Sequence, residues 1–459
     1  MESEIMVAGM FLCFAFFLFL GVPVVWVLGG TAVLFAGIGY LTDIYLNTFT
    51  GLDFLTLGIG VNRVYKIMDN WVLVALPMFI FMGLMLDESG IARRMMTSMQ
   101  DLFGRLRGGL AITVTCIGVI LAASTGIVGA SVVLLGLLSL EPMLKQGYSR
   151  YLALGTVASA GTLGVLIPPS IMLVIMADQM TLSVGDLFMG AVFPGLLLGV
   201  LYVIYIIAFG LIFPDKAPLA EDRRPISWRV LWSVAIAVLP ALLLIIAVLG
   251  SIFAGIATPT EASGVGAMGA TLLAISYRQF SLRVLFNVLK TTFNTSAFIF
   301  AIFVGATLFS LVLRELGGDE IIESMLTSLP FGPYGIVAVI LAFIFLLGFF
   351  LDWVEITLII LPLVAPVIET LGLGIDGVGV VEKPDLVWFI ILAAITLQTS
   401  FLTPPVGFAL FYLKGICPPG ITTSEIYRGV IPFVCLQLAG LMIVALFPLL
   451  VIWLPSLSY

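Results

Sequence analysis

Two stretches of this chain interrupt an apolar run with paired prolines. They are Gly161-Thr162-Leu163-Gly164-Val165-Leu166-Ile167-Pro168-Pro169-Ser170 and Thr399-Ser400-Phe401-Leu402-Thr403-Pro404-Pro405-Val406-Gly407. Proline supplies no N–H and its ring clashes with the preceding turn, so each pair must break a helix. The spacing predicts that the carbonyls of Gly164 and Val165, and of Ser400 and Phe401, lose their helical partners. Carbonyl oxygens beside Ser and Thr hydroxyls make a hard, neutral cage that suits an alkali cation such as Na+ and not a transition metal. Half-helices restarting at Pro169 and Pro405 point their positive ends toward the same region and favour an anion. A bare proline kink is the alternative for one such motif, and two copies in matching context weaken it. Asp352 and Glu355 sit at the centre of another apolar run, where an unpaired carboxylate is expensive. Ion attraction, a salt link, protonation and a solvated tip are all open roles for them.

The elements that position these residues must lie in a membrane. Of 459 residues, 61% are hydrophobic, and 19 basic plus 26 acidic side chains make only 10% charged. Soluble domains carry about 25%. Histidine is absent, which removes the commonest general base and zinc ligand and excludes serine–histidine or HExxH chemistry. The four cysteines, Cys13, Cys116, Cys417 and Cys435, lie in apolar runs without metal spacing and are expected to be small buried residues. A net charge of −7 argues against nucleic acid. The acidic start lacks the basic region of a signal peptide and reads as a retained first span.

Apolar runs occur at 5–41, 71–88, 109–140, 151–177, 187–213, 230–250, 256–276, 292–313, 331–371, 386–413 and 430–455. The first is long enough for two tight spans. With both termini outside, 15 of the 19 Lys and Arg fall on the cytoplasmic side, leaving Arg63, Lys66, Arg314 and Lys383 outside. This orientation requires 109–140 and 331–371 to be re-entrant hairpins.

Each hairpin run precedes a broken helix, and each broken helix precedes a span opened by an acid-containing start, Asp186-Leu187 or Glu425-Ile426. The two series match in order and, in this topology, face opposite ways. The expected fold is therefore an all-α polytopic membrane protein of two inverted-topology repeats. Its expected parts are scaffold helices and a first arm (1–107), a first transport half (108–213), scaffold helices and a second arm (214–330), and a second transport half (331–459). The arms are the amphipathic segments 91–107 and 315–329, read equally as hinges or as passive interfacial connectors. Thr258-Pro259-Thr260-Glu261 reads as a capping box that opens the next span.

In these residues the sequence resembles the large membrane subunit (M, DctM-like) of tripartite ATP-independent periplasmic (TRAP) transporters. The resemblance covers nearly the whole chain and rests on six ordered motifs: GIARR (90–94), GRLRGGLA (104–111), SAGTLGVLIPPS (159–170), SVGDLFMGAVFPG (183–195), ATPTEA (257–262) and LTPPVGFALF (402–411). It implies a Na+-coupled elevator-type secondary transporter in the bacterial inner membrane that imports an organic acid. A small four-helix Q subunit and a periplasmic substrate-binding P subunit are its implied partners. Carried onto this chain, it points to Gly164, Ile167 and Pro169, with Gly129 and Ser131 of the first hairpin, for one Na+. For the other it points to Ser400, Thr403 and Pro405, with Asp352 and Glu355. An SGS-like first hairpin tip, common among relatives, reads Val128-Gly129-Ala130 here, with hydroxyls displaced to Ser124, Thr125 and Ser131. Ser124, Thr125, Thr162, Ser170, Thr399, Val406 and Gly407 are the expected substrate contacts. No arginine falls in the inferred core, so a carboxylate would rely on helix ends, hydroxyls and Na+.

The competing reading is a self-sufficient divalent-anion/Na+ symporter-type carrier. A membrane-embedded enzyme is disfavoured by the missing His, CxxC and GxGD motifs, and a passive channel by two cages suited to alternating access.

Overall fold

Glycine and proline punctuate a chain that is otherwise helix after helix in the computed structural model, which describes residues 2–48, 50–125, 128–219, 227–375 and 381–457. The side chains of 122–125 also lie outside the described residues, as do residues 126 and 127 of the first hairpin tip. Helices α1 (Glu2–Phe19) and α2 (Val24–Leu46) part at Gly21-Val22-Pro23, so 5–41 is two helices. Next come α3 (Phe54–Asp69), then α4 (Ala75–Glu88), entered through a 3-10 turn Trp71–Val74, and the arm α5 (Ile91–Phe103). The first hairpin is α6 (Gly109–Thr125) and α7 (Val128–Lys145). The first broken helix is α8 (Arg150–Thr162) and α9 (Ile171–Gln179), and α10 (Val184–Ile212) closes this half.

The second half runs α11 (Trp228–Phe253), α12 (Pro259–Ser276), α13 (Leu282–Glu315) and the arm α14 (Gly318–Thr327). Its hairpin is α15 (Pro333–Leu347) and α16 (Trp353–Glu355), which continues through a π turn, Ile356–Ile360, into α17 (Leu361–Thr370). The second broken helix is α18 (Pro384–Ser400) and α19 (Phe408–Ile416), followed by α20 (Thr423–Leu446) and α21 (Leu449–Ile452). Among the described residues, eight helical stretches are long and apolar enough to cross a membrane. The 15 residues of α15 reach only about 22 Å, short of the roughly 30 Å hydrocarbon core.

Packing pairs the two halves by exchange. Helix α2 packs on α13 as α12 packs on α4, α1 on α2 as α11 on α12, and α8 on α20 as α18 on α10. Helix α19 packs on α7, while α9 packs on α17 and its π turn. These contacts run between the halves as well as within them. The two broken helices α8 and α18 begin at different ends of α20. Arg150, at the start of α8, pairs with Glu425 at the start of α20 at 3.1 Å. Trp388, near the start of α18, donates from Nε1 to the Val444 carbonyl near the end of α20 at 3.2 Å.

Local chemistry sets the ends. The Thr258 side chain accepts from the Glu261 N–H while Glu261 Oε2 accepts from the Thr258 N–H at 2.8 Å, the reciprocal capping box that the sequence predicts. Thr422 and Glu425 repeat it at α20. The arms α5 and α14 each follow a left-handed glycine, Gly90 (φ +69) and Gly317 (φ +74), and α5 buries Met95, Met96 and Met99 against its neighbours. A Cβ at Gly317 would meet nothing within 4 Å, so substitution there tests backbone conformation alone. Gly317→Ala is expected to cost about 1–2 kcal/mol, read as a lower melting temperature of the purified chain.

One expectation needs correction. Cys435 is exposed on α20 and the other three cysteines are half-buried. A span needs apolar atoms toward lipid as much as toward protein, so an apolar run does not distinguish the two faces. Between the first two apolar runs lie the end of α2 and the whole of α3, whose start is closed by a reciprocal Asp53–Thr56 cap.

Candidate functional site

The two breaks occupy the most enclosed part of the molecule. Leu152 to Thr162 of α8, Ile171 to Ala177 of α9 and Leu386 to Ser400 of α18 are all buried. Small residues bring the first hairpin against α8. A Cβ on Gly118 would lie 2.8 Å from the Ala160 Cβ, and one on Gly161 would lie 2.9 Å from the Val132 backbone nitrogen. The second hairpin approaches α18 the same way, with Gly348 directly against Ser400.

At the first break, Gly164, Ile167, Pro169 and Ser170 are buried in the segment that begins with the 3-10 turn Leu163–Val165, and that turn packs on α7, the helix bearing Gly129 and Ser131. The first hairpin and the first break are thus neighbours at the level of helices. The Ile167 side chain points at Gly195 of α10, where an added Cβ would lie 2.7 Å from its Cγ1, so Ile167 can serve a cation only through its backbone. The Val165 carbonyl, expected to be free, accepts the Ser170 hydroxyl. A hydroxyl within reach satisfies what the prolines removed. Ser170 occupies the cap position of α9 without capping it, which leaves the first-turn amides of α9 without a side-chain acceptor from that residue. The helix restarts at Ile171 rather than Pro169.

The second break is more open. Pro405 and Val406 are exposed and Thr403 is half-buried. Both carbonyls predicted to be free are satisfied: Ser400 O accepts the Thr403 N–H at 3.0 Å and Phe401 O accepts the Ala409 N–H at 3.2 Å. The chain folds back after the prolines instead of staying extended, and α19 restarts at Phe408, past Pro405. Gly407 holds φ +55 as its cap, a conformation that favours glycine; the glycine thus has a backbone role in addition to any ligand contact. Tyr427 donates its hydroxyl to the Pro405 carbonyl at 3.0 Å.

The hydroxyls share one orientation. Thr162 donates to Ser159 O at 2.9 Å, Thr399 to Ile395 O at 2.7 Å, Ser400 to Leu397 O at 2.7 Å and Thr403 to Thr399 O at 2.8 Å. Each proton is tied to the residue's own helix, so the oxygen presents lone pairs outward, as a hard cation requires.

At the second hairpin, Asp352 Oδ1 caps α16 by accepting the Trp353 N–H at 2.8 Å. Glu355 is 3% exposed and its Oε2 has no hydrogen-bond partner, so it is not a solvated tip residue. Thr357, which the sequence reading passed over, is fully buried with an unpartnered hydroxyl in the π turn. Helix α16 packs on α13, and Gly348, four residues before Asp352 on the same hairpin, lies against Ser400. Tyr412 was also missed, although it directly follows the 402–411 motif. Its ring covers the first hairpin at Gly129, where an added Cβ would lie 2.8 Å from Cζ, and Asp352 is within its electrostatic reach. Helix α19 thus closes over the first hairpin, α7. Ser124 and Thr125 have side chains outside the described residues.

Two helices broken at proline pairs, each packed against a hairpin, are the architecture of a membrane carrier. Residues 11–450 match the family model described as "Tripartite ATP-independent periplasmic transporter, DctM component". The chain belongs to that family and is a TRAP-type large permease subunit. It is 32% identical over 397 residues to the C4-dicarboxylate TRAP transporter large permease protein DctM of Pseudomonas aeruginosa, covering 86% of this chain and 88% of that one. To the isethionate TRAP transporter permease protein DctMQ of Oleidesulfovibrio alaskensis it is 27% identical, covering 95% of this chain but only 64% of the longer relative. Among solved structures, the YdaH transporter of Alcanivorax borkumensis shares the fold with a TM-score of 0.58 at 14% identity, covering 97% of this chain and 98% of that one.

Proposed function

We propose that this permease couples Na+ to the import of an organic acid anion handed over by a periplasmic binding protein. The observation that supports it best is the shared orientation of hydroxyls at the broken helices, with protons turned inward and oxygens outward. The donor set fits Na+ through Ser400 and Thr403 with the backbone of Gly164, Ile167, Pro169 and Pro405. Asp352 and Glu355 of the second hairpin and Gly129 and Ser131 of the first complete the proposed ion sites. Bound Na+ supplies positive charge to an anion that meets no arginine. Thr162, Ser170 and Thr399 and the first turns of α9 and α19 would orient the carboxylate, with Val406 and Gly407 at the more open break and Ser124 and Thr125 at the first hairpin. Of the two helix starts, α9 suits an anion better, because the Ala409 N–H of α19 is already held by Phe401.

An inverted repeat moving as an elevator is the reading favoured by the exchange of packing partners and by α8 and α18 starting at different ends of α20. On it, 108–213 and 331–459 move against 1–107 and 214–330, and both termini lie in the periplasm of the bacterial inner membrane. The relative whose printed name joins M and Q supports a small membrane subunit as partner. Relatives named for a C4-dicarboxylate and for isethionate differ in their acidic group, which agrees with selection by the binding protein.

Reconstitution in liposomes tests this. Uptake of a labelled carboxylate is expected only with the small subunit, loaded binding protein and an inward Na+ gradient together. Uptake by the chain alone would instead establish the self-sufficient symporter.

A further inference from the structure

Helix α18 raises a packing problem of its own. Every residue from Leu386 to Ser400 is buried, and a helix apolar all round has no stripe to set its rotation about its axis. Its Thr396, Thr399 and Ser400 hydroxyls all donate to their own helix. That leaves Trp388 and Gln398 to reach across to other helices. Trp388 fixes the outer end through the Val444 carbonyl, and Gln398 lies two residues before Ser400, at the break.

Gln398 is 0% exposed, as are Tyr202 of α10 and Gln437 of α20. Gln437 Nε2 donates to the Tyr202 hydroxyl at 2.7 Å. Helix α18 packs on both α10 and α20 and brings Gln398 to the same hydroxyl, although neither of its amide atoms makes a hydrogen bond in good geometry. Tyr202 is itself held by an edge contact with Phe433, ring centroids 5.3 Å apart. Two residues along a helix turn through about 200°. Gln398 facing α10 and α20 therefore puts Ser400 on the opposite side, where it meets Gly348 of the second hairpin.

We propose that Gln398, Tyr202 and Gln437 form a buried polar pin that sets the rotation of α18 and so aims the Ser400–Thr403 edge at the second hairpin. They are positioning residues and touch neither ion nor substrate. Polar side chains joining helices inside a membrane act in this way because each has no other polar partner to choose. The functional readout rests on the Na+ reading of Ser400 and Thr403; the rotational claim does not.

In the full complex, Gln398→Leu is expected to raise the half-saturating Na+ concentration about tenfold, with folded yield and half-saturation by loaded binding protein unchanged. Tyr202→Phe should shift Na+ dependence the same way, and the double variant should go no further than Gln398→Leu. Wild-type Na+ dependence in folded Gln398→Leu overturns the pin. If that variant does not fold, Gln437→Leu decides by the same criterion. Rotation is read independently by oxidative cross-linking of Gly348→Cys with Ser400→Cys in a background without native cysteines. Gln398→Leu should lower the cross-link yield severalfold, and an equal yield overturns the proposal. Should the unmodified complex show no Na+ dependence, the sodium reading fails and the cross-link alone decides the pin.

Discussion

Replacing Gly155 with leucine is expected to remove folded protein from the membrane and all uptake with it. Helix α8 crosses α20 at Gly155, where an added Cβ would overlap the Gly429 carbonyl oxygen, and a Cβ on Gly429 would lie 2.6 Å from the Tyr151 carbonyl oxygen. Both obstacles are helix backbone and cannot turn aside as a side chain would. Relief requires pulling α8 off α20, and α8 carries the first break. Overpacking costs about 1–3 kcal/mol where side chains adjust; a backbone collision lies at or beyond the upper end. Gly264→Ala is the control. Nothing stands within 4 Å of a Cβ there, and a mid-helix glycine costs about 0.5–1 kcal/mol relative to alanine, so this variant should match or exceed wild type. Yield of monodisperse protein in detergent, compared with uptake in liposomes, checks both.

Thr403→Ala is expected to raise the half-saturating Na+ concentration about tenfold, a loss of about 1.4 kcal/mol, with folding and co-purification of the small subunit unchanged. The hydroxyl donates only to Thr399 O, one turn back in its own chain segment, so its loss breaks no contact between helices. What disappears is an outward lone pair beside a half-buried, accessible break. Gly164→Val should weaken Na+ dependence in the same direction and more severely, because its turn is closed on all sides. Na+ titration of uptake checks both, and wild-type dependence in both variants would remove these positions from the site.

Much of this molecule is legible in its residues. The paired prolines place the breaks because a missing N–H and a bulky ring act wherever they occur. Thr258-Pro259-Thr260-Glu261 closes a helix start because a capping box needs only four consecutive residues. The apolar runs give most helices, and their scarcity of charge gives the membrane.

The site was legible less completely, and the errors have one cause. The carbonyls of Val165, Ser400 and Phe401 were expected to be free because proline removes a known partner. The chain then found others in Ser170, Thr403 and Ala409, through turns that depend on how the segment folds back. Glu355 and Thr357 are buried because α13 and α9 pack over their hairpin, and nothing in positions 351–360 names those neighbours. Gln398 reads as an ordinary polar residue until Tyr202 and Gln437, from helices distant in sequence, close around it.

By itself the sequence determined the class of protein, the two breaks, the helix caps and the family. Each of these follows from covalent geometry or from a pattern within a few turns of helix. Only the tertiary structure decided that α2 pairs with α13 and α12 with α4, that α8 crosses α20 at two glycines, and which way α18 is turned. Helices apolar on every side carry no stripe to name a partner or a rotation. Those choices rest on the fit of small residues and a few polar side chains across contacts that no local pattern records.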